Sequence, residues 1–295
     1  MSRTVYGLVT PALNEQGFIE RTIESVLSQT VLPVKWIIVD DGSSDRTAAI
    51  AQTYANHYPW ITVVRRPAGS ARSFASKARS FAAGCEQLKD VRYDYIGNLD
   101  ADILLTPEYY ERLFGFFEAD ARLGIAGGKF YEIAKDGSRH IVRNSPDSVR
   151  GAVQMFRKRC YEDVGGYRPL ALGGIDSAAE ITARWKGWRV HTFPDLTVLH
   201  LRPTGRGSPL LSSVRAGIKD RSLGYYGLFE VVRCGALLTE RPYVVGGLGR
   251  LVGYCWSWLE GTKSALPIAA VGFLHREQRS KLTRRLKLTA SSRMN

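Results

Sequence analysis

Through its first half the chain alternates short apolar runs with segments of helical periodicity, and no other feature limits its possible folds so tightly. Val5–Thr10, Trp36–Val39, Ile61–Val64 and Tyr93–Leu99 are compact strand-like runs. After the first, Ile19, Ile23, Val26 and Leu27 recur at helical spacing up to Gln29. After the second, Ser43, Ser44 and Asp45 are expected to cap a helix through Ala48, Ile50 and Tyr54. Ser73–Leu88, rich in Ala and Lys/Arg, predicts a third helix, and Thr106-Pro107 a fourth with proline at its first position. Four β-α units in succession predict an α/β fold, a mainly parallel sheet with helices on both faces. Ligands of open α/β sheets bind outside the carboxyl ends of the strands. Here Pro11–Glu15, Asp40-Asp41, and Asp100 with Asp102 follow the first, second and fourth strands. Three strand ends are thus expected to converge on one acidic crevice.

From about Ile125 the pattern loosens, with Gly127-Gly128, Gly151, Gly165-Gly166 and Gly173-Gly174 marking loops of a site wall. Ser177–Lys186 predicts a helix, and Val190–Phe193 and Thr197–Leu199 two further strands. A Gly/Pro/Ser-rich connector, Pro203–Pro209, places a boundary near residue 205, so that 206–295 forms a separate, mostly helical segment. The net charge of +13 is concentrated there: residues 1–200 hold 25 Lys/Arg against 23 Asp/Glu, residues 201–295 hold 16 against 5. Such a segment calls for an anionic surface, either nucleic acid, anionic lipid or a phosphorylated substrate, or is merely a solvated basic face.

Several classes drop out. With 44% hydrophobic and 23% charged residues the chain is not disordered, and no 20 to 50 residue repeat is visible. Cys85, Cys160, Cys234 and Cys255 form no C-x-x-C pair, so reduced, buried thiols in a cytosolic protein are expected. The N-terminus lacks the apolar core of a signal peptide. Tyr243–Trp258 is interrupted by Arg250, and Ser264–Leu274 contains Pro267, so neither reaches the roughly 20 apolar residues of a spanning helix. The first β-α turn, Pro11–Gly17, lacks G-x-G-x-x-G, which argues against a nicotinamide-dependent oxidoreductase.

Asp100-Ala101-Asp102 at a strand end suits a Mg²⁺ or Mn²⁺ ion that bridges a diphosphate, since these ions take one or two carboxylates and complete their shell with phosphate and water. The same two acids also fit an ordinary surface turn. Asp40-Asp41 is either a turn into a helix or a carboxylate placed to accept a nucleobase N–H. Pro11–Glu15 is equally consistent with a plain β-α turn.

Together the strings Val9-Thr10-Pro11-Ala12-Leu13-Asn14-Glu15, Val39-Asp40-Asp41-Gly42-Ser43-Ser44-Asp45-Arg46-Thr47 and Leu99-Asp100-Ala101-Asp102 resemble the family 2 glycosyltransferases, in order and spacing, over roughly residues 4–200. The resemblance implies a GT-A fold over residues 1–205, with a nucleotide-sugar half at about 1–105 and an acceptor half at about 106–205. It implies an inverting transferase that moves a sugar from a nucleoside-diphosphate donor, usually a UDP-sugar, to a glycan or lipid-linked acceptor. Pro11, Leu13 and Glu15 would contact the nucleoside, Asp41 the base, and Val39 the pocket wall. Asp100 would lie near ribose and metal, and Asp102 would ligate the metal. Gly173-Gly174-Ile175-Asp176, eleven residues before Gly187 of Gly187-Trp188-Arg189-Val190, makes Asp176 the general base, with Glu180 in reserve. Glu180 is equally placed to be an ordinary helix acid paired with Arg184. By the same resemblance His200 is a third metal ligand or a diphosphate contact, where otherwise it is a hydrogen-bonded loop residue. Arg202 and Arg206 are expected to stabilise the leaving diphosphate.

Residues 210–285 mix Tyr225, Tyr226, Phe229, Trp256, Trp258 and Phe273 with the basic excess. These rings either sit at a membrane interface or pack as core. The expected protein is cytoplasmic and peripheral on the inner face of the cell membrane. The alternative is a non-catalytic module that binds nucleic acid or another anionic surface, although no nucleic-acid motif is present and nucleic acid is not the expected partner.

Overall fold

A computed structural model describes residues 4–67, 73–133, 138–142, 144–202, 208–240 and 243–291. Two compact units are present, one formed by residues 1–171 and 175–204, the other by 172–174 and 205–295.

The first unit is built on a nine-stranded sheet in the order β3-β2-β1-β4-β8-β6-β9-β5, with β7 on the edge of β6. β1 (Tyr6–Ala12), β2 (Lys35–Asp40), β3 (Ile61–Arg65) and β4 (Tyr95–Asn98) are parallel. β8 (Met155–Arg157) enters antiparallel between β4 and β6 (Leu123–Ile133). β9 (Arg189–His200) runs parallel to β6, and β5 (Ile103–Leu105) and β7 (Arg139–Ile141) are antiparallel edges.

Each central strand is apolar on both faces because both are covered. Leu8, Trp36 and Ile38 point to one side with α1 (Ile19–Leu27), α2 (Thr47–His57) and α4 (Tyr109–Ala119). Val9, Ile37 and Val39 point to the other, with α3 (Phe74–Glu86), α5 (Lys158–Val164) and α6 (Ile175–Trp185). Ile19, Ile23 and Val26, spaced i, i+4, i+7, are the buried stripe of α1. Each such side chain contributes about 1.5–3 kcal/mol on burial.

Three local expectations need correction. Ser43 and Ser44 do not cap α2: Ser43 Oγ accepts from Asn14 N at 3.0 Å, and Ser44 N donates to Asn14 Oδ1 at 2.9 Å, so both staple the β1–α1 loop instead. Asp45 Oδ1 accepts from Thr47 N at 2.9 Å, and the helix begins only there. α4 starts at Tyr109, two residues after Pro107, because Thr106 O takes Tyr109 N at 3.0 Å and closes a turn first. The two strands expected at 190–193 and 197–199 are one, since the pairing with β6 jumps from Gly128↔Phe193 to Lys129↔Thr197 and absorbs the intervening residues as an irregularity.

The second unit is helical: α7 (Pro209–Ser222), α8 (Gly227–Leu237), α9 (Val245–Leu259) and α10 (Ile268–Ser291). α7 and α9 approach so closely that a Cβ on Gly217 would strike the Arg250 carbonyl, and one on Gly253 the Val214 carbonyl. Arg250 does not merely interrupt an apolar run: its guanidinium binds Asp220 and, at 2.7 Å, Glu230, both fully buried. Among the cysteines all four are free, and Cys255 is exposed rather than buried, because its stretch of α9 turns that side outward.

Candidate active site

The β1–α1 loop is set by its neighbour. Asn14 takes the left-handed conformation at φ 54° while its side chain caps Ser44, and Glu15 N donates to Thr47 Oγ1 at 2.7 Å. The Glu15 carbonyl receives Phe18 N and Ile19 N, both at 2.9 Å, and so starts α1. Glu15 is thereby held inside, only 3% exposed. Pro11 sits in register with Val39, and Leu13 is half-buried in the loop that follows.

At the end of β2, Asp40 is buried and accepts from Ser43 N at 3.2 Å. Asp41 is half-buried; its Oδ1 lies 2.6 Å from an Arg66 nitrogen and its Oδ2 accepts from Ser76 Oγ. Arg66 also donates to Ser80 Oγ at 2.7 Å. At the end of β4, Asp100 is clamped by Lys77 Nζ at 2.6 Å and accepts from Asn98 Nδ2 at 3.1 Å.

β5 pairs with the end of β9, putting Ile103 opposite His200, and this ladder brings His200 to Asp102 across 98 residues of chain. Asp102 is 3% exposed; its Oδ2 lies 3.1 Å from His200 Nε2 and 2.6 Å from an Arg202 nitrogen. The same Arg202 nitrogen is 2.8 Å from Glu15 Oε1, and the guanidinium lies over the Phe18 ring. Burial opposes the charge on Asp102, but His200 and Arg202 together outweigh it and hold the carboxyl below its usual range. Burial likewise works against the Arg202 charge, and the two carboxylates outweigh it. Glu132 Oε1 is 4.0 Å from His200 Nδ1.

A single 3-10 turn, Gly151–Val153, ties the acidic end of β4 to α6. Asp100 N donates to Ala152 O at 2.9 Å, Asn98 Nδ2 donates to Gly151 O, and Gly151 N donates to Asp176 Oδ2 at 3.3 Å. A Cβ at Gly151 would come within 2.9 Å of the Asp176 Cβ, so only glycine permits this approach. Asp176 lies in the first turn of α6, with Oδ1 accepting from Ser177 N at 2.8 Å. Glu180, one turn on, is 4% exposed; its Oε1 accepts from Val149 N at 2.6 Å and Gln154 Nε2 at 3.0 Å, and its Oε2 lies 3.9 Å from Arg184. Burial, and then the Asp176 charge, push its carboxyl up to about 8.

Glu15, Asp102, His200 and Arg202 therefore form one contact group, Asp100 and Asp176 are bridged by the 151–153 turn, and Asp41 stands beside Arg66 at the end of β2. Arg206 lies outside the described residues. Among the described residues, no cluster of three or more His, Cys, Asp or Glu side chains forms a metal cage. Sequence reasoning missed Arg66, Lys77, Asn98 and Glu132. A signal existed for Arg66: the end of β3, Arg65-Arg66, is basic where the neighbouring strand ends are acidic.

The sequence profile described as Glycosyl transferase family 2 matches residues 8–173. Similar proteins include the uncharacterized glycosyltransferase EpsJ of Bacillus subtilis, 31% identical over 45% of this chain and 36% of its own length. The chondroitin synthase of Escherichia coli is 33% identical over 56% of this chain and 24% of its own. The beta-monoglucosyldiacylglycerol synthase of Synechocystis is 29% identical over 56% and 37%. The chain thus spans between about a quarter and little more than a third of the length of these relatives. Among solved structures, the mannosyltransferase PcManGT of Pyrobaculum calidifontis, in complex with GDP-Man and Mn²⁺, superposes with a TM-score of 0.57 at 15% identity, covering 99% of this chain and 87% of that one. S. aureus TarS 1-349 in complex with UDP-GlcNAc gives 0.53 at 13% identity, covering 87% and 73%. These likenesses show the GT-A fold.

Proposed function

This chain belongs to glycosyl transferase family 2, and from that premise we propose that it transfers a sugar from a nucleoside-diphosphate donor, a UDP-sugar foremost, to a hydroxyl of a glycan or lipid-linked acceptor with inversion. The observation that carries the reading is the group of Asp102, His200, Arg202 and Glu15 at the ends of β1, β4 and β9. Two neighbours of the same fold hold such donors, UDP-GlcNAc in one and GDP-Man with Mn²⁺ in the other.

The residues fit a divalent cation. Asp102 and His200, brought together at the strand ends, offer the carboxylate oxygen and imidazole nitrogen that such an ion takes. Asp102 and His200 would hold the ion, with diphosphate and water completing its shell, and a bound cation would supply Lewis-acid stabilisation of the leaving diphosphate. The chain's own residues do the rest. Arg202 pairs with Glu15 and Asp102 and is placed to turn its guanidinium to the diphosphate as negative charge develops there. Pro11, Leu13, Val39 and Asp41 flank the nucleoside; Asp41, held by Arg66 and Ser76, presents a fixed carboxylate to a base N–H. Asp100, neutralised by Lys77, lies at the ribose side. Asp176, fixed by the Gly151 and Ser177 amides, takes the acceptor proton as that oxygen bonds to the anomeric carbon. The C1–O bond to the diphosphate breaks and its electron pair leaves with the phosphate. Glu180, occupied by Val149 and Gln154, is structural.

The helical unit supports a membrane-surface setting. Among the described residues, no helix is long and apolar enough to cross a membrane. Yet α9 turns its small residues Gly249, Gly253 and Ser257 inward and leaves Val245, Leu248, Val252, Trp256 and Leu259 exposed, an apolar stripe at i, i+3, i+7, i+11, i+14. Leu228 and Val231 of α8 are exposed as well. With the net +11 of residues 201–295, this is the chemistry of an anionic lipid interface.

Calorimetric titration of UDP with and without Mn²⁺ tests the donor site. Metal-dependent binding that Asp102→Ala removes is expected; no binding of UDP, GDP or thymidine diphosphate by the wild type would overturn the reading.

A further inference from the structure

The first unit holds a cavity of about 660 Å³, within the size range of small-ligand sites. Its walls are the middle of β6, the first half of β9 and the segment from the end of β7 toward the 151–153 turn. Among its described lining residues the charged side chains are Lys129 and Arg150, joined by His191, and none is an acid.

Arg150, one of its lining residues, is in an unusual state. Among the described residues its guanidinium makes no hydrogen bond and no ion pair within 4 Å, and its Nε is wholly buried. Its neighbour is the face of Phe130, 5.6 Å from the ring centre. Burial lowers its affinity for its proton, opposed by the more distant charges of Glu132 and Asp176. A guanidinium carries five donors in a planar fork that matches carboxylate or phosphate oxygens, and a buried donor left without an acceptor is a standing energetic penalty that a ligand relieves. Among the remaining lining residues Phe130, Ile141, Val142 and Pro194 are apolar and suit the C–H face of a pyranose, with Asn144 and Thr192 as polar neighbours.

Position decides what such a ligand is for. Arg150 immediately precedes Gly151, whose amide binds the Asp176 carboxylate. The Asp176 charge is also felt at the Arg150 guanidinium, so a sugar whose anionic group is held at Arg150 is anchored on the segment that positions Asp176. We propose that this cavity is the acceptor subsite and takes a negatively charged sugar, its carboxylate or phosphate held by the Arg150 fork and its ring face laid on Phe130. The assignment as an acceptor subsite rests on Asp176 being the base; the preference for an anionic sugar rests on the cavity alone.

The test is saturation-transfer NMR and calorimetry with three probes, methyl β-glucuronoside, glucose 6-phosphate and methyl β-glucoside, on wild type, Arg150→Gln and Arg150→Lys, without metal or nucleotide. At least one charged probe is expected to bind the wild type about tenfold or more tightly than the neutral one; which of the two binds identifies the group as carboxylate or phosphate. Arg150→Gln should lose that preference, and Arg150→Lys, which keeps charge but not the fork, should retain part of it. Equal binding of the neutral glucoside, no binding of any probe, or an unchanged preference in a folded Arg150→Gln would overturn the proposal. The wild-type comparison needs no variant to fold. UDP titration of the same samples separates the two ideas, since loss of UDP binding speaks to the donor site and leaves the cavity's charge preference standing.

Discussion

Glu180→Gln is the substitution whose consequence follows most directly from the geometry. Glu180 is nearly inaccessible and its carboxyl is pushed from an ordinary 4.5 up to about 8, first by burial and then by the Asp176 charge. Between those values the folded protein holds a proton that the unfolded chain has released, so folding stability falls as pH rises. The contribution is fully present below 4.5 and lost above 8. At about 1.4 kcal/mol per pH unit the loss across the window is about 5 kcal/mol. Glutamine keeps an oxygen to accept from Val149 N and Gln154 but has nothing to ionise. The gap in unfolding free energy between the variant and wild type should therefore widen steadily from pH 4.5 to 8, to about 5 kcal/mol in favour of glutamine. Other titrating groups, including the buried Asp220–Glu230–Arg250 cluster, are common to both proteins and cancel in the difference. Urea unfolding at pH 5, 6.5 and 8 measures this, and glycosyl transfer by the variant should stay within about tenfold of wild type. Parallel pH dependences for the two proteins would refute the assignment of a neutral, structural Glu180, and abolished turnover in a stable variant would return it to the role of base.

Asp176→Asn should lower turnover by about 10²–10⁴ with UDP affinity unchanged, and turnover near wild type would move the base elsewhere. The double change Trp256→Ser and Leu259→Ser removes two exposed side chains, each worth about 1.5–3 kcal/mol when buried. It should cut sedimentation with phosphatidylglycerol vesicles at least tenfold at low salt and leave nucleotide binding intact; equal sedimentation of the two proteins would exclude α9 as the contact. Gly253→Val drives a side chain into the Val214 carbonyl and should destabilise the helical unit by about 1–3 kcal/mol, seen as a lower melting temperature; an unchanged melt would mean that α7 and α9 do not pack this closely.

Much of the first unit was legible because its signals are local. A strand buried on both faces must be apolar throughout, as Trp36–Val39 is, and an α/β sheet must bind at its carboxyl ends, so Glu15, Asp41, Asp100 and Asp102 could be picked out as strand-end acids from their position in the chain. Local rules failed where a distant partner competed for the same group. Ser43 and Ser44 are good cap residues, yet Asn14 captures both from the preceding loop, and the helix starts at Thr47. Pro107 is a good first helical residue, yet the turn closed by Thr106 precedes the helix.

What the sequence alone determined was the class of fold, the family and the set of strand-end acids, because these follow from periodicity and from residue types fixed within a few positions of one another. Only the tertiary structure decided what each acid touches. The antiparallel pairing of β5 with β9 brings His200 to Asp102, and the 151–153 turn joins Asp100 to Asp176. The fold leaves Arg150 without an acceptor among the described residues and turns the large side chains of α9 outward. Each is a juxtaposition of residues tens of positions apart, settled by strand register and by packing around backbone contacts that no local pattern encodes.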